Sequence, residues 1–194
     1  MGQISIHLLV QPYEECHPLN NETFNYEFKI VLLGDSEVGK SKIVSNYLNG
    51  GIPLKVDPTN GWKSDAKVIK KILFEIMDIS DKNESNISNY CDNCEGGFVV
   101  YDITKRESYT NVDYFINQLK KNVNDVPIIL LGNKVDSDKE REVTEEEGKK
   151  KAQQFNVSFY ETSANSGKNI ALVFDKLFNK IIEKHKKNCC CSCC

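Results

Sequence analysis

The sequence predicts an α/β fold, a mostly parallel six-stranded sheet with helices on both faces. Two observations carry this. Short apolar runs of strand length alternate along the chain with longer segments of helical spacing. Polar, turn-forming stretches follow several of those runs directly, at the strand C-terminal ends where parallel sheets place their ligands.

Residues 1–25 show no clear period and are expected to form an extension outside the fold. The first strand is expected at 28–33, where Phe28-Lys29-Ile30-Val31-Leu32-Leu33 reads as a buried run. Helical spacing resumes at 41–48, and two adjacent strands are expected at 67–71 and 72–78. The remaining strands fall at 97–102, 128–132 and 157–160, and the remaining helices at 112–122, 145–155 and 169–184. This organises the chain as an extension (1–25), one domain (26–184) and a flexible cysteine-bearing tail (185–194). No internal repeat is present. A chain of 194 residues is long enough for one domain with a sizeable core.

Gly34-Asp35-Ser36-Glu37-Val38-Gly39-Lys40-Ser41 stands between the first strand and the first helix. Strand, glycine-bounded loop and helix together are the context of a phosphate-binding P-loop. Backbone N–H groups of Asp35, Ser36, Glu37, Val38 and Gly39 would form an anion cradle, aided by the positive end of the helix dipole. Lys40 would reach the outer phosphates, and the Ser41 hydroxyl would ligate Mg²⁺.

Asn133-Lys134-Val135-Asp136 follows the apolar run that starts at Val126. The Asp136 carboxylate can accept from both the ring N–H and the exocyclic amine of guanine, a donor pair that adenine lacks. Asn133 can bind the base and tie neighbouring loops together, while the Lys134 stem can lie along the purine face. Glu161-Thr162-Ser163-Ala164, with Asn165 next, follows the last strand. Its small residues let backbone N–H groups approach the guanine oxygen. Each tetrapeptide alone is equally consistent with a solvated turn; three such motifs in this order, each at a strand end, are specific.

With these motifs the chain resembles the Ras superfamily of small GTPases and, within it, the Rab family. The resemblance runs from about Tyr26 to the C-terminus. It extends to Val100-Tyr101-Asp102-Ile103-Thr104, Glu107-Ser108-Tyr109 and Arg141-Glu142-Val143-Thr144-Glu145-Glu146-Glu147-Gly148. It implies a P-loop small GTPase G domain with GTP or GDP and Mg²⁺ as cofactors. It also implies a switch that recruits effectors to membranes and is set by exchange factors and activating proteins. Thr59 aligns with the first-switch threonine and would contact Mg²⁺ and the γ-phosphate. Asp78 would hold Mg²⁺, through water.

The switch regions depart from the family pattern. Asn60-Gly61-Trp62-Lys63-Ser64 does not match the usual Rab effector signature, and the following hairpin is shorter. Ile52 stands where the family places an aromatic ring on the guanine, a stack worth ~1–3 kcal/mol in nucleic-acid binders. Where the family reads Asp, two residues, Gly and Gln, this chain has Asp78-Ile79-Ser80-Asp81-Lys82. Lys82 thus takes the place of the glutamine that orients the attacking water, and the sequence offers no catalytic side chain. Ras itself, with its glutamine, turns over unaided at only about 10⁻⁴ s⁻¹, so slow, activator-dependent hydrolysis is expected. The alternative is a nucleotide-locked membrane scaffold. Two carboxylates are new to the site. Glu37 is expected to point into water; Asp81 faces either water or the phosphates.

The C-terminal run Cys189-Cys190-Cys191-Ser192-Cys193-Cys194 ends in a Cys-Cys pair resembling the doubly geranylgeranylated end of Rabs. Cys193 and Cys194 are the expected acceptors. Two lipids give stable anchoring where one is marginal, and Lys184, Lys186 and Lys187 would add ~1 kcal/mol each at an anionic surface. The competing readings are a thiolate metal tail and a disordered end. Expected partners are the guanine nucleotide, a membrane through the lipid, and effector, exchange-factor, activating and prenyl-binding chaperone proteins. The expected location is the cytoplasmic face of intracellular membranes, cycling with the cytosol.

A net charge of −3 gives no nucleic-acid footprint. No apolar run approaches the length of a membrane span, and the first residues lack a secretory pattern. Met1-Gly2-Gln3-Ile4-Ser5-Ile6 opens like a myristoylation signal but has Ile6 where a hydroxyl residue belongs. Cys91-Asp92-Asn93-Cys94 has redox or zinc spacing. One pair is half a zinc site, so exposed free thiols are expected there. His7 and His17 are expected at the surface.

Overall fold

The computed structural model describes residues 4–6, 26–49, 72–79, 87, 91–123 and 125–190. In chain order, the strands are β1 (Ile4–Ile6), β2 (Tyr26–Leu33), β3 (Ile72–Ile79), β4 (Gly96–Asp102), β5 (Ile128–Asn133) and β6 (Ser158–Glu161). The helices are α1 (Lys40–Asn49), α2 (Arg106–Thr110), α3 (Val112–Asn122), α4 (Glu145–Phe155) and α5 (Ile170–Cys190), with a 3₁₀ turn at Val135–Glu140. The sheet order is β1-β3-β2-β4-β5-β6. All neighbours are parallel except β1, which runs antiparallel to β3.

Strand alternation explains how both faces are covered. Ile30 and Leu32 of β2 point into one core with Ile43, Val44 and Tyr47 of α1. The same core takes Val173, Phe174, Leu177, Phe178 and Ile181 of α5, a recurrence of three and four residues that makes one helix stripe. Tyr47 stacks on Phe174 with ring centroids 4.0 Å apart. Val31 and Leu33 point the other way, into a core with Val99, Tyr101, and Val112, Phe115, Ile116 and Leu119 of α3. Full burial of one such side chain contributes ~1.5–3 kcal/mol, so the two stripes fix which helix lies on which face.

The α4 boundaries follow local chemistry. Thr144 accepts from the Glu147 N–H while the Glu147 carboxylate accepts from the Thr144 N–H, a capping box, and Asn156 closes the helix at φ 51°. Helices α3 and α4 match their expected bounds. Two ends of the chain differ from expectation. Ile4–Ile6 does not lie outside the fold but pairs with β3, in the register Ile4↔Ile76, Ser5↔Glu75 and Ile6↔Phe74. Its backbone gives β3 an antiparallel partner on the side away from β2. The strand expected at 67–71 lies outside the described residues. The tail is not irregular from 185 onward, because α5 continues to Cys190. Neither Gly nor Pro interrupts Lys184–Cys190 to stop it, and His185 pairs with Glu95 at 2.7 Å. No helix among the described residues is long and apolar enough to cross a membrane.

Candidate nucleotide-binding site

The parallel pairing of β2, β4, β5 and β6 brings the segments that follow them to one edge of the sheet. The register sets Leu33 beside Val99, Asp102 beside Asn133 and Gly132 beside Glu161. The loop after β2 turns sharply because Gly39 takes φ 100°, a conformation open mainly to glycine. A Cβ on Gly39 would overlap the Asn133 amide nitrogen. The loop is thus built for close backbone approach.

Lys40, the first residue of α1, is buried, and its ammonium donates to the carbonyls of Gly34 at 3.0 Å and Asp35 at 2.7 Å. Burying a cation this way requires acceptors around it, and the loop's own carbonyls supply them. Val38 is buried beneath the loop while Ser36, Glu37 and Ser41 are exposed. Glu37 adopts φ 64° and pairs with Lys105 at 3.1 Å, so its carboxylate is turned outward, as expected. The Asp35 carboxylate accepts from the Asn111 amide at 2.7 Å.

Asn133 joins the loops. Its amide nitrogen donates to the Val38 carbonyl at 2.8 Å, and its oxygen accepts from the Ala164 N–H at 3.0 Å and the Thr162 hydroxyl at 3.3 Å. Asn133, Thr162, Ser163 and Ala164 are all buried. Asp136 is exposed, with one carboxylate oxygen accepting from the Ser163 hydroxyl at 2.6 Å. That bond, with lesser help from its own backbone N–H, the Asn165 side chain and Lys42, holds the Asp136 carboxyl below its ordinary range. It is therefore an ionised acceptor at the surface, held by Ser163. Lys134, at φ 72°, extends its ammonium to Asp102 at 2.7 Å. The buried Asp102 carboxylate also accepts from the Thr104 N–H at 2.9 Å and its hydroxyl at 2.8 Å. On α1, Lys42 donates to the Asn165 side chain at 3.0 Å.

The chain's sequence matches the Ras family over residues 29–183. The chain belongs to the Ras family. It is similar to the Ras-like protein rasU of Dictyostelium discoideum, 32% identical over 177 residues, covering 88% of this chain and 81% of that one. Ras-related protein Rab-11A of the same organism is 32% identical over 169 residues, covering 84% of this chain and 79% of that one. Ras-related protein Rab-3 of Caenorhabditis elegans is 30% identical over 171 residues, covering 84% and 78%. Ras-family proteins are small GTPases, binding GTP and GDP with Mg²⁺ and hydrolysing GTP.

In this Ras-family chain the structure brings together Lys40, Val38, Asn133, Asp136, Ser163, Ala164 and Asn165. The backbone of Asp78 pairs with Leu32 near the C-terminal end of β3. Thr59, Ile52, Asp81, Lys82, Cys193 and Cys194 lie outside the described residues. Sequence reasoning missed the bracing set Asp102, Thr104, Lys105 and Asn111. These are ordinary polar residues at and after the end of β4: Lys105 and Asn111 gain a role by reaching the loop after β2, and Asp102, braced by Thr104, by holding Lys134. The expectation of exposed thiols at Cys91 and Cys94 is overturned, for both side chains are buried in the α3-side core.

Proposed function

We propose that this chain is a Rab-like guanine-nucleotide switch that regulates vesicle trafficking at membranes and hydrolyses GTP slowly, with dependence on an activator. The observation that carries the reading is the coupling of three loops through one buried amide, with Lys40 on one side of it and the ionised Asp136 on the other. Backbone N–H groups of 35–39 and the Lys40 ammonium would bind the phosphates. Asp136, Asn133, Lys134, Ser163, Ala164 and Asn165 would bind guanine. Ser41, exposed on the first turn of α1, and Asp78, on the strand beside β2, are oxygen donors of the kind Mg²⁺ takes, and Thr59 would complete the set. The metal would neutralise phosphate charge.

Because Lys82 stands in the sequence where the family has its glutamine, positioning and electrostatics would carry catalysis, and Lys82 would offset developing charge. Cys193 and Cys194 would carry lipid and hold the protein at the cytoplasmic face of intracellular membranes, with cycling through the cytosol on a prenyl-binding chaperone. The sequence Asp78-Ile79-Ser80-Asp81-Lys82 also favours a second reading, a nucleotide-locked scaffold that binds effectors without turning over. Single-turnover hydrolysis of preloaded GTP, with and without a TBC-type activating domain, separates the two. Turnover that rises with the activator supports the switch. No turnover in either case, with GTP shown to be bound throughout, supports the scaffold.

A further inference from the structure

Cys91 and Cys94 are chemistry that the nucleotide site leaves unused. Cys91 is helical, Asp92 and Asn93 form an exposed turn, and Cys94 leads into β4. The turn is tight: the Cys94 N–H donates to the Cys91 carbonyl at 3.1 Å, and Asn93 takes φ 58°. Such a closure keeps the two Cα atoms within about 7 Å, against the ~4.4–6.8 Å that a disulfide spans. The two side chains lie in the same core cluster, close enough that each shifts the other's titration. Both are enclosed, at 0% and 2% exposure, among the side chains of the α3-side core.

The pair is chemically unequal. Lys29 of β2 donates its ammonium to the Asp92 carbonyl at 3.0 Å, placing a cation on the turn. The neighbouring Cys94 thiol, and then this cation, push the Cys91 thiol down despite burial. The neighbouring Cys91 sulfur and burial push the Cys94 thiol up. A thiolate-prone sulfur beside a protonated one is the arrangement of an attacking and a resolving cysteine.

We propose that Cys91 and Cys94 form a reversible dithiol–disulfide couple whose oxidant is a small uncharged peroxide. The Cys91 thiolate attacks one peroxide oxygen, the O–O bond breaks, and the departing hydroxide is protonated to water, leaving Cys91 as sulfenic acid. The Cys94 sulfur then attacks that sulfur; the S–S bond forms, the S–O bond breaks, and the departing hydroxide leaves as water with the Cys94 proton. Two thiols and one peroxide give one disulfide and two waters. The oxidant is small because the sulfurs lie beneath the turn. It is uncharged because the sulfurs sit among apolar side chains, where a charged molecule is costly to bring, and the same burial excludes a bulky anionic disulfide such as glutathione disulfide.

The test uses the reduced full-length chain, treated with hydrogen peroxide, quenched with catalase, alkylated and mapped by peptide mass. The peptide holding both cysteines is expected to lose both alkylation sites and weigh less than its unalkylated reduced form by two hydrogens, with dithiothreitol restoring both sites. Cys94→Ser is expected to trap a dimedone adduct on Cys91, whereas Cys91→Ser leaves Cys94 unlabelled. Should either variant fail to fold, the wild-type map decides alone. The proposal is overturned if both cysteines stay alkylatable while other cysteines oxidise, if Cys91 bonds to a cysteine other than Cys94, or if Cys94 is the residue labelled. Equal reaction with glutathione disulfide would overturn the choice of oxidant.

Discussion

Replacing Asn133 with alanine tests whether the site is held together before any nucleotide arrives. Asn133 is 1% exposed and bonds the Val38 carbonyl, the Ala164 N–H and the Thr162 hydroxyl. The hydroxyl can rotate to another acceptor; the two buried backbone groups cannot. Leaving a buried donor or acceptor unpaired costs about 1–3 kcal/mol each, so Asn133→Ala is expected to destabilise the nucleotide-free protein by about 3 kcal/mol. For a chain of this size that corresponds to a melting temperature lower by roughly 10 °C. Urea unfolding of nucleotide-stripped wild type and variant reads the difference directly, as a lower midpoint at unchanged slope. If Asn133 acted on the base alone, nucleotide-free stability would hold and only GTP affinity would fall. A change below about 0.5 kcal/mol, within the scatter of ordinary surface substitutions, would refute the loop-tying argument.

Gly39→Ala places a Cβ against the Asn133 amide at a φ of 100°; equilibrium titration is expected to show GDP affinity reduced by at least tenfold. Glu147 is held down to about 2 by Arg106, and then by the Thr144 N–H. Because that folded pKa is depressed, its stabilisation is present above the ordinary value of 4.5 and is lost as pH falls from there toward about 2. The pair is solvent-exposed, so the effect is small, and Glu147→Gln should flatten the wild-type slope of stability against pH across that window, read by urea midpoints. Lys82→Gln, which restores the water-orienting side chain, is expected to raise single-turnover GTP hydrolysis; an unchanged rate counts against a simple positioning defect.

The parts of this fold legible in sequence are those where local pattern and tertiary demand agree. α3 could be placed to the residue because Val112, Phe115, Ile116 and Leu119 make a stripe that the sheet then buries. α4 could be placed because its ends carry their own capping chemistry. The loop-tying role of Asn133 was also readable, as a polar side chain at the end of a buried strand. Ile4–Ile6 was not readable, because three residues make no periodic signal and the pairing is set by the distant edge of β3. The continuation of α5 was hidden by a lysine-rich composition that suits a tail and a helix equally. Lys105 and Asn111 brace the loop after β2 from sequence separations that no local motif encodes. Cys91 and Cys94 illustrate the converse. Their spacing was visible but their burial was not, since burial depends on α3 packing over the turn's side of the sheet.

We propose that Asp136, oriented by Ser163, makes this site select guanine. The most direct measurement is displacement of a fluorescent GDP analogue, with Mg²⁺ present, by GTP, GDP and ATP in turn, on wild type and Asp136→Asn. Displacement by GTP and GDP, none by ATP at a hundredfold higher concentration, and loss of that selectivity in the variant are expected. Displacement by ATP at the same concentration as GTP, or selectivity unaltered in Asp136→Asn, would contradict it.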